Sequence, residues 1–285
     1  MEGVSESEPV TELTIPEGQA LLYHYTSAKS ALEGILPTST LRLSPYRRMR
    51  DPLEYHELTK LLRYRSDQSD RPGRLPLNEA QETLGALRDQ MRILSMTRDE
   101  EEGYEDSVVK TFGRGYARPR MWEQYGDQHR GVCLAFDRAA FVEGAFRESL
   151  RNFGGTYVGD VEYTPGGFVA HPARALPDIP DNEEAPRHLF VHLETHNAAF
   201  WFLKLLDWET EYEFRLILFP RDELGNEPVA ANFGSALKAI VLGTKFDPQR
   251  TLEALSFGIQ FSIPVLRLDW ASGRPQVELV TADEE

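Results

Sequence analysis

The stretch Trp208-Glu-Thr-Glu-Tyr-Glu-Phe-Arg215 runs directly into the apolar Leu216-Ile-Leu-Phe219. From Glu211 onward polar and apolar residues alternate, with Glu211, Glu213 and Arg215 on one side and Tyr212, Phe214 and Leu216 on the other. A period of two predicts a strand with one face on the core. Two carboxylates and a guanidinium then share a face at intervals of about 6–7 Å. Buried, such a row is costly unless it binds something or neutralises itself. In water it is a solvated strand face with Arg215 bridging two like charges.

Upstream of this strand, apolar spacing predicts the longest helix, over residues 187–206, with Leu189, Leu193, Phe200, Leu203 and Leu206 on its apolar positions. Residues 164–187 are rich in Pro and Gly and read as a long loop. Residues 157–163 read as a strand, and Gly131-Val-Cys-Leu-Ala-Phe136 as a buried central strand. Pro119 to Gly126 reads as a short helix ended by glycine. Ile93 to Thr97 is a strand, preceded by a helix from about Asn78. Asp51-Pro-Leu-Glu54 is a helix start, with an Asp cap, Pro at the first helical position and Glu three residues after the cap. Leu21-Leu-Tyr-His-Tyr25 is an aromatic strand, followed by a helix that Pro37 stops and by a strand at Leu41–Ser44. Downstream, strands are expected at 237–242, 263–269 and 276–280, with a helix over 248–257. No repeat and no linker composition appears. The expected fold is α+β: a single domain over 21–285, with a mixed or antiparallel sheet core flanked by helices. Residues 1–20 are expected to form a disordered acidic leader.

The chain has 285 residues, 41% of them hydrophobic, and a net charge of −15. That length is enough for a substantial core. No run approaches the roughly 18 apolar residues of a membrane span. The charge is uneven: residues 1–20 hold five acids and no base, residues 21–130 are nearly neutral, and residues 131–285 hold 13 bases against 24 acids. Such acidity argues against a broad nucleic-acid-coating surface. Cys133 is the only cysteine, so neither an intrachain disulfide nor a thiolate metal cluster can form, and a reducing bacterial cytoplasm is the expected setting.

Two clusters could carry chemistry. His24 lies on the first strand with Tyr25-Thr26-Ser27 at a helix start, where backbone amides can face a phosphate-bearing ligand. A core histidine bonded to a carbonyl would account for His24 equally well. Trp122 and Tyr125, three apart on a helix, are neighbours that could stack a base or nicotinamide, or simply pack. His129 precedes a buried strand, where packing gives it no task. No metal is expected: His188, His192 and His196 on one straight helix span about 12 Å and cannot meet one ion. A Walker loop, a nucleophile elbow and a dinucleotide-fold glycine fingerprint are all missing. Cys133, inside an apolar strand, makes a poor nucleophile.

Taken in order, Tyr23-His-Tyr-Thr-Ser27, Leu43-Ser-Pro45, Asp51-Pro-x-Glu54, Leu94-Ser-Met-Thr97, Met121-Trp-x-x-Tyr125, His129-x-Gly-Val-Cys-Leu-x-Phe-Asp137, Lys204-x-x-x-Trp208, Glu211-x-Glu-x-Arg215 and Ile240-Val-Leu-Gly243 resemble the bacterial family known as domain of unknown function 2971. That family usually has Asn where this chain has Arg50. More loosely, the opening Tyr-His-Tyr-Thr-Ser with Ser44 on the next strand resembles ADP-ribosyltransferase-type domains. This second resemblance implies a similar fold and NAD as substrate. By it His24 holds the NAD ribose, with Tyr25, Thr26 and Ser44 around it. Trp122 or Tyr125 stacks on nicotinamide, and His129 lies beside them. Glu213 is the catalytic carboxylate, preceded by Glu211 and supported by Arg215.

The implied function is an NAD-dependent mono-ADP-ribosyltransferase-like enzyme, a toxin or antiphage effector acting on an acceptor macromolecule. Two other classes stay open: a hydrolase or nuclease using Asp51, Glu54, Glu211 and Glu213, and a non-catalytic module that senses a nucleotide-type small molecule. As a ligand-site carboxylate, Glu213 should contribute little to stability.

Overall fold

The computed structural model describes residues 20–49, 51, 62–64, 72–100, 111–165 and 175–282. Residues 1–19 of the expected leader, Arg50, Glu54 and most of the expected helix after Asp51 lie outside these residues. The described strands are β1 (Leu21–Thr26), β2 (Thr40–Pro45), β3 (Arg63–Tyr64), β4 (Arg92–Arg98), β5 (Val132–Asp137), β6 (Gly154–Asp160), β7 (Glu162–Thr164), β8 (Ala175–Leu176), β9 (Leu203–Leu205), β10 (Glu213–Pro220), β11 (Val229–Asn232), β12 (Leu237–Leu242), β13 (Val265–Ala271) and β14 (Arg274–Leu279). The fold is mixed α+β, as the pattern of elements predicts.

The chain divides into two compact units, each assembled from separated stretches. One comprises Met1–Leu41, Met96–Ser149 and Ala231–Glu285, and the other Arg42–Ser95 and Leu150–Ala230. The chain passes between them inside β2, β4 and β11 and at the end of a helical run. No Pro/Gly-rich stretch marks these points, so composition carries no linker signal.

In the first unit β5 is the central strand, antiparallel to β1 (His24 opposite Leu134) and to β12 (Ile240 opposite Leu134). All six of its residues are buried, as a two-sided apolar run requires. β12 is parallel to β13, and the crossover is the helix Thr251–Phe261. β13 and β14 form an antiparallel hairpin. On one face of β1, Tyr23 and Tyr25 join Tyr116, Trp122 and Cys133 in the core.

The helix after β1 ends at Ser39, in the left-handed region, and not at Pro37. Pro37 falls inside the last turn, Leu36–Thr38, which is completed before Ser39 turns left-handed. A helical run after β5 was not expected: Ala140–Phe146 continuing into Arg147–Leu150, with Phe141, Phe146 and Leu150 buried.

In the second unit β2 pairs antiparallel with β4 (Ser44 opposite Ile93), and β10 pairs antiparallel with β6 from Phe214–Asp160 to Pro220–Gly154. β7 and β9 form a short parallel pair. The helices Leu77–Gln90 and Ala185–Thr195 cover a core containing Leu84, Ile93, Leu189, Phe200, Trp201 and Ile217. The single helix expected over 187–206 is two, Ala185–Thr195 and Asn197–Trp201, followed by β9. The break at His196 turns Phe200 and Trp201 fully into the core, so tertiary packing overrides helical spacing.

Candidate functional site

β10 begins at Glu213, two residues later than its alternation suggests. Tyr212 adopts a left-handed conformation (φ 45°) at the end of the 3₁₀ turn Leu206–Glu211, so Glu211 is not on the strand. Both faces of β10 are buried from Glu213 to Leu218, which corrects the expectation of one polar and one apolar face. The polar side chains nevertheless meet. Arg215 grips the Glu213 carboxylate with two bonds, Nε to Oε1 at 2.8 Å and Nη2 to Oε2 at 2.9 Å. Its Nη1 donates to the Trp201 carbonyl at 2.7 Å. Lys204, from β9, donates to Glu211 at 2.7 Å and to Glu213 at 3.2 Å, and stands 4.6 Å over the Trp208 ring.

The four charges sum to zero, and none of the four residues is more than 4% exposed. The row therefore neutralises itself, the condition under which burial is tolerable. Burial alone would raise the Glu213 pKa, but the charge of Arg215, then that of Lys204, outweighs it and leaves the carboxyl at about 2. The Glu213 backbone N–H donates to the Tyr163 hydroxyl at 2.8 Å, and burial followed by the Glu213 charge raises the pKa of that phenol. Ser95 supplies a further hydrogen bond to the carboxylate and is itself exposed, so the buried anion lies one side chain away from solvent. Ser44, half-buried, faces the same side of β2–β4 as Ser95, because it sits opposite Ile93 and Ser95 is two residues further on.

The other expected ligand residues lie in the first unit. Trp122 is fully buried and donates Nε1–H to the Tyr116 carbonyl at 2.7 Å. Tyr25 meets it edge-on at 5.0 Å and donates its hydroxyl to the Gly115 carbonyl. These two rings are packed core. His24 alternates with Tyr23 and Tyr25, so it projects from the opposite face of β1 and is not brought to Trp122. Thr26 ends β1 opposite Val132, and Tyr125 is half-buried.

His129 stacks on Trp122 at 6.2 Å with 13° between the rings. It closes a run of three successive non-glycine residues in the left-handed region, with Asp127, Gln128 and His129 at φ 50°, 55° and 69°. Its Nδ1 is buried without a hydrogen-bond partner among the described residues, and burial, then Lys245, lowers its pKa. Two glycines hold this turn: a Cβ at Gly131 would lie 2.1 Å from the Thr26 carbonyl oxygen, and one at Gly243 would lie 2.2 Å from that of His129.

The sequence motifs included Lys204 and Ser95 without giving them roles, and Tyr163 was missed. The signal available for Lys204 was its charge opposite two acids. Its partnership with Glu211 across seven residues is a tertiary outcome. His192 and His196 have ring centroids 4.6 Å apart, and His196 lies beyond the helix Ala185–Thr195, so the straight three-histidine face is not formed. Among the described residues, no helix is long and apolar enough to cross a membrane.

Residues 121–216 match the model of a family described as "Protein of unknown function (DUF2971)". Over this segment the chain is similar to that family, and there the resemblance to it read from the motifs is borne out. No curated protein and no solved structure matches the chain.

Proposed function

We propose that the chain is an NAD-consuming enzyme of the ADP-ribosyltransferase-like kind, with Glu213 as the carboxylate beside the reacting ribose. One observation carries this reading: a carboxylate held ionised in a dry setting, one exposed serine away from solvent. Cleavage of the ribose–nicotinamide bond builds positive charge on the sugar, and a preorganised anion stabilises that charge most where water is excluded.

The Lys204–Glu213 contact, at 3.2 Å the longest of these bonds, is the one a ribose hydroxyl would displace, leaving Lys204 on Glu211. On this reading Glu211 is a positioning residue that holds Lys204, and Arg215 keeps Glu213 charged. Ser95 and Ser44 line the approach. NAD is the substrate and no metal takes part. Such an activity suits a toxin or antiphage effector in a reducing cytoplasm, where the lone buried thiol of Cys133 stays inert.

A second reading, a nucleotide-binding sensor without turnover, is favoured by the fact that both Glu213 oxygens are already engaged by Arg215 and Lys204. Incubation of the wild-type protein with NAD, followed by nicotinamide release, separates the two. Release that falls in kcat but not in KM for Ser95→Ala supports the enzyme, because an exposed serine can be truncated without unfolding the chain. Binding without release selects the sensor. If NAD neither binds nor turns over, both readings fail.

A further inference from the structure

We infer that a pocket on the second unit, at the opposite end of β10 from Glu213, binds a small zwitterion with an apolar body, of the class of free apolar α-amino acids. The pocket has a volume of about 280 Å³ and lies among Leu87, Tyr157, Phe190, Glu194, Phe219 and Arg221. A cavity of about 150 Å³ already accommodates benzene, so there is room here for an aromatic or branched side chain with its charged end.

Three half-buried rings wall the pocket. Tyr157 and Phe190 both stand edge-on to Phe219, at 5.4 Å with 85° and at 6.2 Å with 84°. Half-buried aromatic faces around a hollow are the lining expected of a small-ligand site.

Charge gives the ligand class. Glu194 and Arg221 line the same hollow with opposite signs, and both are exposed. Neither has an ion-pair partner among the described residues, and they do not pair with each other. Tyr157 fixes the carboxylate by donating its hydroxyl to Glu194 Oε1, and burial, then Glu194 itself, raises the phenol's pKa so that it remains a donor. A cation alone would meet repulsion from Arg221, and an anion alone repulsion from Glu194. A molecule carrying an ammonium for Glu194, a carboxylate for Arg221 and an apolar body for the rings satisfies every wall.

Calorimetric titration of the full chain with L-phenylalanine and L-leucine tests this. At least one of the two should bind with a dissociation constant of about 1 mM or tighter. Removing either charge of the ligand, with phenylalaninamide or N-acetylphenylalanine, should weaken binding about tenfold or more, as should Glu194→Gln or Arg221→Ala. Both substituted residues are exposed, and an unchanged circular dichroism spectrum and melting temperature would show that the variants fold. Failure of both amino acids to bind overturns the proposal. So does equal binding of the amide, of the acetylated form or of either variant, and so does preferential binding of benzyltrimethylammonium. None of these residues takes part in the nicotinamide reaction, so the two readings stand or fall separately.

Discussion

Glu213 and Arg215, two residues apart on one strand, form a closed fork: two parallel bonds of 2.8 and 2.9 Å, with the guanidinium fully buried and the carboxylate nearly so. Removing one partner of such a pair leaves an uncompensated buried charge, so Glu213→Gln should cost roughly 3–5 kcal/mol. Urea denaturation measures the loss. A cost below about 1 kcal/mol would mean that water reaches the cluster and screens it. The expectation that a ligand-site carboxylate is cheap to replace does not survive the burial of its neighbours.

The same fork sets the acid limit of the fold. Glu213 has its pKa depressed from 4.5 to about 2 in the folded chain. A depressed carboxylate stabilises the folded state fully above its unfolded pKa and loses that contribution as pH falls toward the folded value. The stability of the wild type should therefore be nearly flat in this term above about pH 5 and decline between about pH 4.5 and 2. Melting curves of wild type and Glu213→Gln across this window should converge with acidification. Parallel curves would remove Glu213 as a source of the acid sensitivity.

Two glycines give opposite predictions. Gly131 has the Thr26 carbonyl oxygen 2.1 Å from where a Cβ would sit, a backbone obstacle that no rotamer change relieves. Gly131→Ala should cost 3 kcal/mol or more, on the order of a severe overpacking substitution, or abolish soluble expression. Gly144, inside the helical run Ala140–Phe146, has nothing within 4 Å of the same position. Gly144→Ala should stabilise by about 0.5–1 kcal/mol. Thermal melts of the pair report both signs, and a neutral Gly131→Ala would show that β1 and the turn before β5 are not held in contact.

The left-handed run Asp127–His129 stores strain. Gln128→Gly removes a Cβ that disfavours φ 55° and should stabilise by about 0.5–1 kcal/mol after the entropic cost of glycine. Denaturant midpoints compared with wild type decide it. A loss of stability would mean that the Gln128 side chain, which accepts from Arg130 at 2.8 Å, contributes more than the strain costs.

Periodicity located β10 and β5 because each holds its pattern over several residues. It failed at the ends of elements, where single residues decide. Tyr212 and Ser39 enter the left-handed region although neither is glycine, so no sequence signal marked them. The helix breaks at His196, and Phe200, Trp201 and Phe202 beyond the break are all buried, so burial and not helical spacing accounts for where these rings lie. Of the candidate site, the charged row was legible as residue types at a spacing, whereas its self-neutralisation was not. That outcome depends on Lys204 arriving from another strand, and one-dimensional spacing says nothing about which strand comes alongside. His24 and Trp122 shared a resemblance but not a face, a distinction that the alternation Tyr23-His24-Tyr25 already contained.

The family match covers 121–216, while the chain changes unit at Ser149. A fragment cloned to those limits would contain β5 without β1 and β12, and so expose both hydrogen-bonding edges of six buried residues. It would also end at Leu216, inside β10, before the residues that pair Pro220 with Gly154. The matched window is therefore no transplantable cassette. Whatever chemistry it carries has to be expressed, assayed and evolved with the segments on either side of it.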